Sequence, residues 1–276
     1  MTYREAIDMG EQMLKEQGIA DAKTDAWLLL AMACKIDRNF YYLHMNEEIL
    51  EEQKQEYASV LKKRAEHIPL QYITGEQEFM GHRFLVNSNV LIPRQDTEVL
   101  VEEAIKRVKP GMDVLDMCTG SGCIIISILK NVSDVNAIAA DVSKQALIVA
   151  KENAKLNEVS VRFETSDLFD HIKGEFDIIV SNPPYIRTEE ITKLMPEVRD
   201  FEPFNALDGK EDGLYFYRKI VDEGKKYLKP GGYLMFEIGY DQGEEVVGLM
   251  RQAGYSEIKV VKDLAGLDRV VIGKGK

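Results

Sequence analysis

The sequence is poor in the residues that most often bind metals or form disulfides. It contains only three cysteines and four histidines among 276 residues. Cys34, Cys118 and Cys123 are odd in number and lack the spacing of a zinc site, and the histidines form no ligand pair. We therefore expect no metal site, and we expect the thiols to stay reduced.

Long apolar runs are also missing. The longest ones, such as residues 123–129, fall far short of the roughly 20 residues that a membrane-spanning helix needs. The amino terminus has no basic region followed by an apolar core, so no secretory signal is expected. These absences predict a cytoplasmic protein with no membrane partner.

Basic residues are scarce relative to acidic ones. The chain has 35 Lys and Arg against 47 Asp and Glu, which gives a formal net charge of −12. Proteins that bind nucleic acid usually present a basic face, because neutralising phosphates supplies much of their affinity. The balance therefore favours a small molecule or a protein, including a basic protein, as substrate, and it argues against direct contact with nucleic acid.

The first quarter of the chain has helical periodicity. Thr2 and Glu5 predict a capping box at the start of the first helix, and further helices are predicted over residues 23–35 and 47–66. Residues 1–68 therefore read as a small all-helical domain, which is a packed bundle, a docking surface for a partner, or both. A break at Pro69 precedes a strand-like pattern from Tyr72 to Ser88, so residues 69–90 are predicted to form a β-hairpin linker.

Strands and helices alternate through residues 91–276. Strands are predicted at 113–117, 135–140, 161–165, 176–181 and 233–238, with two more at 258–261 and 269–272. Ser143 is a predicted N-cap, and residues 186–212 are predicted to form a long loop. Such alternation predicts an α/β domain with a mostly parallel sheet and helices on both faces.

One predicted strand ends in a stiff corner. It runs from Phe176 to Ser181, and Asn182, Pro183, Pro184 and Tyr185 follow. The two prolines cannot donate ladder hydrogen bonds and have fixed φ angles, so they end the strand. The Asn182 amide oxygen and the Pro183 carbonyl could accept both hydrogens of a planar –NH2 group, with the Tyr185 ring against its plane. We predict that this corner activates a delocalised nitrogen for attack on an electrophile.

The ends of three other predicted strands carry residues suited to a nucleoside with an amino-acid tail. After the first come Cys118, Thr119, Gly120, Ser121 and Gly122, whose glycines allow a close approach of backbone to ligand. Ile125 stands where a dinucleotide fingerprint has its third glycine, so a small carboxylate fits better than a pyrophosphate. Asp141 ends the second strand and could accept both ribose hydroxyls. Asp167 and Leu168 follow the third and could contact an adenine, so the order predicts S-adenosylmethionine as cofactor.

These motifs resemble those of a known family. Asp116 with the loop 118–122, Asp141, the Ser-Asp-Leu-Phe segment 166–169 and Ser-Asn-Pro-Pro-Tyr at 181–185 are similar to class I, Rossmann-like methyltransferases. They are most similar to the glutamine N5-methyltransferases of the PrmC/HemK family. Segments 69–75, 92–98, 202–214 and 263–269 also match that family's pattern, so the resemblance covers essentially the whole chain.

The resemblance implies a substrate and a cofactor product. The substrate would be the glutamine of the Gly-Gly-Gln motif in peptide chain release factors, and the product S-adenosylhomocysteine. Residues 118–122, Asp141, Leu168 and Asn182 would bind the cofactor, with Asp167 beside the adenine. The corner from Asn182 to Tyr185 would hold the glutamine amide, and the helical domain would dock the release factor to a monomeric enzyme. Leu168 departs from members with tryptophan there, which implies weaker adenine stacking.

Three other functions remain open at this point. A sister enzyme would use the same site to methylate a glutamine of a ribosomal protein. An adenine-N6 nucleic-acid methyltransferase shares the Asn-Pro-Pro-Tyr motif, but it would need a basic groove and a flipped base. A regulator that binds adenosine without catalysis would have no reason to keep acceptors for an amine.

Overall fold

The chain folds into two units, and a short segment from late in the sequence belongs to the first. A computed structural model describes all residues, Met1–Lys276. One unit comprises Met1–Gly75 together with Met195–Phe201, and the other comprises Glu76–Leu194 together with Glu202–Lys276. No helix of the chain combines the length and apolar character that crossing a membrane requires.

The first unit is helical. Its helices in the amino-terminal part are α1 (Tyr3–Glu16), α2 (Ala22–Cys34), α3 (Arg38–His44), α4 (Glu51–Ala65) and α5 (Leu70–Thr74). The predicted capping box is confirmed, because Thr2 Oγ1 accepts the Glu5 N–H and Glu5 Oε2 accepts the Thr2 N–H. Buried leucines and Tyr57 form the core of this unit.

A buried ion pair lies among these helices. Arg64 donates from Nε to Asp25 at 2.7 Å and from Nη2 to Glu197 at 2.9 Å. Glu197 belongs to the segment Met195–Phe201, so the late segment completes the polar core of the helical unit. Removing one partner of a buried pair leaves an uncompensated charge, which is why such a segment stays docked.

Two predictions for this region need correction. The helix predicted from residue 47 is α4, which begins at Glu51, and a separate short helix, α3, precedes it. The strand-like pattern predicted from Tyr72 is wrong for residues 72–74, which form the end of α5. Pro69 starts that helix and Gly75, at φ 80°, ends it, so the helix is too short to show periodicity.

The second unit contains the sheet. Its elements in chain order are β1 (Glu76–Phe79), β2 (His82–Leu85), α6 (Glu98–Ile105), β3 (Asp113–Met117), α7 (Cys123–Asn131), β4 (Asn136–Asp141), α8 (Lys144–Leu156), β5 (Arg162–Thr165) and β6 (Phe176–Ser181). There follow α9 (Pro196–Phe201), which belongs to the helical unit, then α10 (Phe204–Leu207), α11 (Tyr215–Gly224), β7 (Leu228–Glu237), α12 (Gly243–Gln252), β8 (Ser256–Lys262) and β9 (Asp268–Lys274). Short 3₁₀ helices cover Gln95–Thr97 and Thr188–Lys193.

The sheet has seven strands in the order β5-β4-β3-β6-β7-β9-β8. Strands β3 to β7 pair in parallel, whereas β9 runs antiparallel to both β7 and β8. Neighbouring residues point to opposite faces: Val114 and Ile178 pack in one apolar cluster with α6 and α7, and Leu115 and Ile179 pack in another with α11 and α12. The prediction of a mostly parallel sheet with helices on both faces is confirmed.

The predicted hairpin is present as β1 and β2, paired antiparallel around the turn at Met80 and Gly81. Asn153 of α8 holds it, accepting the Leu85 N–H at 2.6 Å and donating to the Leu85 carbonyl at 3.0 Å. The same amide donates to the Ser121 carbonyl at 2.9 Å, so one buried side chain joins the hairpin to the loop after β3. The predicted loop over 186–212 is only partly correct, since it contains α9 and α10.

Candidate active site

A cavity opens where the strand order of the sheet reverses. Successive strands proceed outward from β3 to β4 and β5, whereas β6 lies on the other side of β3. Ligands bind at such a switch point, beyond the carboxyl ends of the strands. The cavity there is lined from the ends of β3, β4, β5 and β6.

The loop after β3 forms one wall. Cys118, Gly120 and Gly122 have φ angles of 61°, 54° and 80°, so the backbone turns sharply through left-handed conformations. A Cβ at Gly122 would approach Ile126 Cδ1 to 3.0 Å, whereas one at Gly120 would meet no atom within 4 Å. Gly120 therefore leaves room on the cavity side, and Gly122 allows the loop to pack on the helices.

Asp116 supports this loop from beneath. Its buried carboxylate accepts the Thr119 hydroxyl at 2.6 Å. Burial raises the pKa of Asp116 to about 7, and the charge of Asp141 adds to that effect, although the Thr119 hydrogen bond opposes it. The hydrogen bond ties Thr119 of the loop to the strand β3.

Asp141 presents its carboxylate at the end of β4. One oxygen accepts the Gly120 N–H at 2.9 Å and the other accepts the Ser143 N–H at 2.8 Å. Burial raises the pKa of this carboxyl, and the backbone donors oppose the shift. Because each carboxylate oxygen has more than one lone pair, both can still accept a ligand hydroxyl.

The loop after β5 gives an apolar wall. Leu168 is buried and has a φ of 48°, which is an unusual conformation for a branched residue. The Ser166 hydroxyl holds it by donating to the Leu168 carbonyl at 2.7 Å. Asp167 lies beside it at the cavity lining.

The corner after β6 faces the same cavity through two of its residues. The Ser181 hydroxyl donates to the Met117 carbonyl at 2.7 Å and so fixes the ends of β6 and β3 side by side. Asn182 and Pro184 line the cavity. The Asn182 amide nitrogen donates to Thr97 Oγ1 at 3.4 Å, which leaves its amide oxygen free.

Pro183 and Tyr185 do not line this cavity. No donor of the protein bonds the Pro183 carbonyl. The Tyr185 hydroxyl donates to Glu237 Oε1 at 3.3 Å, and the Tyr185 carbonyl accepts from Gln242 Nε2 at 3.1 Å. Burial raises the pKa of Tyr185, so the phenol remains protonated.

Most of the residues proposed from the sequence therefore come together at one cavity. The lining includes Cys118, Thr119, Gly120, Ser121, Asp141, Asp167, Leu168, Asn182 and Pro184. Gly122, Pro183 and Tyr185 are not among the lining residues. Four residues before α6 also line the cavity, namely Leu91, Pro93, Arg94 and Thr97.

Several residues at the site were not anticipated. Arg94 forms an ion pair with the buried Glu202, whose pKa is raised by burial. Glu237 lies at the end of β7, buried beneath Tyr185. An acid directly after the apolar residues of a strand is the same signal that singled out Asp141, so Glu237 could have been found by that rule.

The fold and the cavity define a class I methyltransferase. The solved structure of a methyltransferase from Pyrococcus furiosus has the same fold, with a TM-score of 0.53 and 18% identity over 70% of this chain and 89% of that one. Family models match in two places: residues 5–75 match the PrmC N-terminal domain, and residues 94–197 match the methyltransferase small domain.

Relatives of known name match nearly the whole chain. The release factor glutamine methyltransferase of Geobacter sulfurreducens is 40% identical over 99% of this chain and 96% of its own length. The release factor glutamine methyltransferase of Clostridium acetobutylicum is 43% identical over 99% of this chain and 98% of its own length. This chain belongs to the release factor glutamine methyltransferase family, as its motifs predicted.

Proposed function

We propose that this protein transfers a methyl group from S-adenosylmethionine to the side-chain amide nitrogen, N5, of the glutamine in the Gly-Gly-Gln motif of peptide chain release factors. The observation that carries the proposal is the full-length match to relatives named for this activity, which includes the helical unit as well as the cavity. Release factors act in translation, so the proposal places the protein in the cytoplasm.

The residues at the cavity fit S-adenosylmethionine. Gly120 leaves open space beside a turn with exposed backbone, which suits the amino-acid tail. Asp141 retains lone pairs for two ribose hydroxyls, and Leu168 and Val142 supply apolar surface for an adenine, with Asp167 at its edge. When bound, this cofactor supplies a methyl group on a positively charged sulfur.

The corner after β6 supplies what the substrate amide needs. A carboxamide nitrogen is a poor nucleophile because its lone pair is delocalised into the carbonyl. Two acceptors, the Asn182 amide oxygen and the Pro183 carbonyl, take its two hydrogens, orient the nitrogen and increase its electron density. Each is free of any donor within the protein. No strong base is required, because the nitrogen loses a proton readily once it is alkylated.

The helical unit is assigned to docking of the release factor. None of the residues that line the cavity comes from this unit. Its surface carries large apolar side chains, including Leu43, Leu50 and Tyr42, which are 81%, 68% and 62% exposed. Exposed apolar residues of this size are typical of surfaces that bind another protein.

The test is a transfer assay with labelled S-adenosylmethionine and four acceptors. These are a bacterial release factor, the same factor with the glutamine of its Gly-Gly-Gln motif changed to alanine, a purified set of ribosomal proteins, and duplex DNA. We expect label on the unmodified release factor only. Label on ribosomal protein would assign the activity to a sister enzyme, and label on DNA would assign it to a nucleic-acid methyltransferase. Label on the alanine variant would refute the proposed acceptor.

A further inference from the structure

A buried acid connects the two ends of the Asn182–Tyr185 corner. Glu237 is 2% exposed at the end of β7. Its Oε1 accepts the Tyr185 hydroxyl at 3.3 Å, and its Oε2 has no donor in hydrogen-bonding geometry. A buried carboxylate with an open oxygen is costly, so its retention calls for an explanation in the site above it.

The other end of the corner reaches the same acid through Thr97. Asn182 Nδ2 donates to Thr97 Oγ1, which is 2% exposed. Burial raises the pKa of Glu237, and the neighbouring Thr97 hydroxyl is the largest of the influences that lower it. Thr97, which accepts from the Asn182 amide, is therefore a neighbour of the acid that has an open oxygen.

The order of donors along this path sets the direction of the Asn182 amide. A carboxylate can only accept, so a hydrogen bond between Thr97 and Glu237 would use the Thr97 hydroxyl hydrogen. The Thr97 oxygen must then accept, and the only group that Asn182 can offer is its –NH2. The amide oxygen of Asn182 is consequently the atom turned towards the substrate.

We propose that Glu237 is a positioning residue for methyl transfer: through Thr97 it fixes the Asn182 amide oxygen as an acceptor, and through Tyr185 it holds the far side of the corner. The proposal rests on the proposed function of the corner. In the arrangement that we propose, the Thr97 hydroxyl donates to the open Oε2. An amide in place of the acid could donate instead, which would allow Thr97 to donate to Asn182 and turn its amide by 180°.

The test compares Glu237→Gln and Thr97→Val with two controls. Thr97→Ser retains the hydroxyl, and Glu103→Gln makes the same change at a buried acid of α6 that pairs with Lys106 and Arg107. We expect kcat to fall about 10²-fold in the first two variants, as for other misplaced catalytic groups. Dissociation constants for S-adenosylhomocysteine and KM for the release factor should change less than about threefold. Glu103→Gln should retain activity, and Thr97→Ser, the conservative variant, should recover most of the kcat that Thr97→Val loses.

A pH profile supplies a readout that general damage to the fold would not move. Burial raises the pKa of Glu237 to about 7. Protonation turns one carboxyl oxygen of Glu237 into a donor, which would free the Thr97 hydroxyl to donate to Asn182 instead, so kcat of the wild-type enzyme should fall as the pH is lowered through about 7. Two charges act on Glu237: that of Arg269 lowers its pKa and that of Asp96 raises it, while the Tyr185 hydroxyl lowers it by hydrogen bonding. This fall of kcat at low pH, the acidic limb of the profile, should be absent in Glu237→Gln and present in Glu103→Gln.

The outcomes separate this inference from the proposed function. If the wild-type enzyme fails to label the release factor, the proposed function is wrong. If it labels the factor and Glu237→Gln retains both its kcat and its acidic limb, only the positioning role is wrong. Should Glu237→Gln not fold, the pair Thr97→Val and Thr97→Ser decides, because equal kcat values in these two would overturn the role of the hydroxyl.

Discussion

Asp141 accepts the backbone N–H of Gly120 at 2.9 Å, so the acid at the end of β4 is tied to the loop that follows β3. Its second oxygen is held by the Ser143 N–H at the start of α8. The carboxylate is thus oriented before any ligand arrives. Groups that need no reorganisation on binding contribute most to affinity, because the cost of ordering them has been met on folding.

Replacing Asp141 by asparagine should weaken cofactor binding. The variant loses a charged acceptor for the ribose hydroxyls, and hydrogen bonds to charged groups contribute about 1.5–3 kcal/mol. The dissociation constant for S-adenosylhomocysteine, measured by calorimetry, should rise about 10- to 100-fold. Asp177→Asn is the matched control, because Asp177 lies at the opposite end of β6 and binds Lys229. Unchanged affinity in Asp141→Asn would show that the ribose does not bind at Asp141.

The two glycines of the loop should respond differently to alanine. At Gly120 the added Cβ meets no protein atom, so Gly120→Ala should chiefly reduce cofactor affinity, with a strain of about 1–2 kcal/mol for the left-handed backbone. At Gly122 the Cβ would also press on Ile126 and on Ala150, at 3.2 Å. Gly122→Ala should therefore have the lower Tm of the two. The reverse order in thermal unfolding, or unaltered affinity in Gly120→Ala, would contradict this account.

Asn182→Ala should separate catalysis from cofactor binding. The change removes one acceptor for the substrate amide, and losing a single such group typically lowers kcat about 10²- to 10³-fold. Affinity for S-adenosylhomocysteine should fall much less, because other loops supply most of the cavity lining. Asn131→Ala, at the end of α7 where the side chain donates to the Ser127 carbonyl, is the control. Normal methylation by Asn182→Ala would show that the amide oxygen is not needed.

Stability should depend on pH through Asp116. Its pKa is about 7 in the folded protein against an ordinary 3.8, so the folded state holds a proton that the unfolded chain has lost. The resulting stabilisation is complete below about pH 4 and is lost as the pH rises to about 7, with a slope of up to about 1.4 kcal/mol per pH unit. Between pH 5 and 8, the free energy of unfolding measured in urea should fall less for Asp116→Asn than for wild type. An equal fall in the two proteins would contradict the raised pKa of Asp116.

The strands that carry the site could be predicted because their signals are local. β3 and β6 are apolar runs that end in turn residues, and both were predicted at their observed bounds. β7 was predicted from residue 233 but begins at Leu228. Its first part includes Pro230 and two glycines, which locally indicate a turn. Pairing of Leu228 with Phe176 across a bulge extends the strand, and such pairing cannot be read from either segment alone.

The path through Thr97 could not be predicted for a similar reason. Thr97 lies in a 3₁₀ turn, Asn182 follows β6 and Glu237 ends β7, so their proximity depends on the strand order. The order β3-β6-β7 places the ends of β6 and β7 side by side. Local patterns indicate which residues stand at strand ends, whereas the sheet topology decides which of those ends are neighbours.

The antiparallel direction of β9 also determines where an affinity tag can be attached without covering the cavity. It enters the sheet beside Glu237, where Val270 pairs with that residue, and runs away from the cavity until Lys274 pairs with Tyr233. An affinity tag appended after Lys276 would therefore emerge at the end of the sheet that lies away from the cavity. Immobilisation through that tag should leave cofactor entry unobstructed, which makes this end the suitable attachment point for binding measurements on a sensor surface.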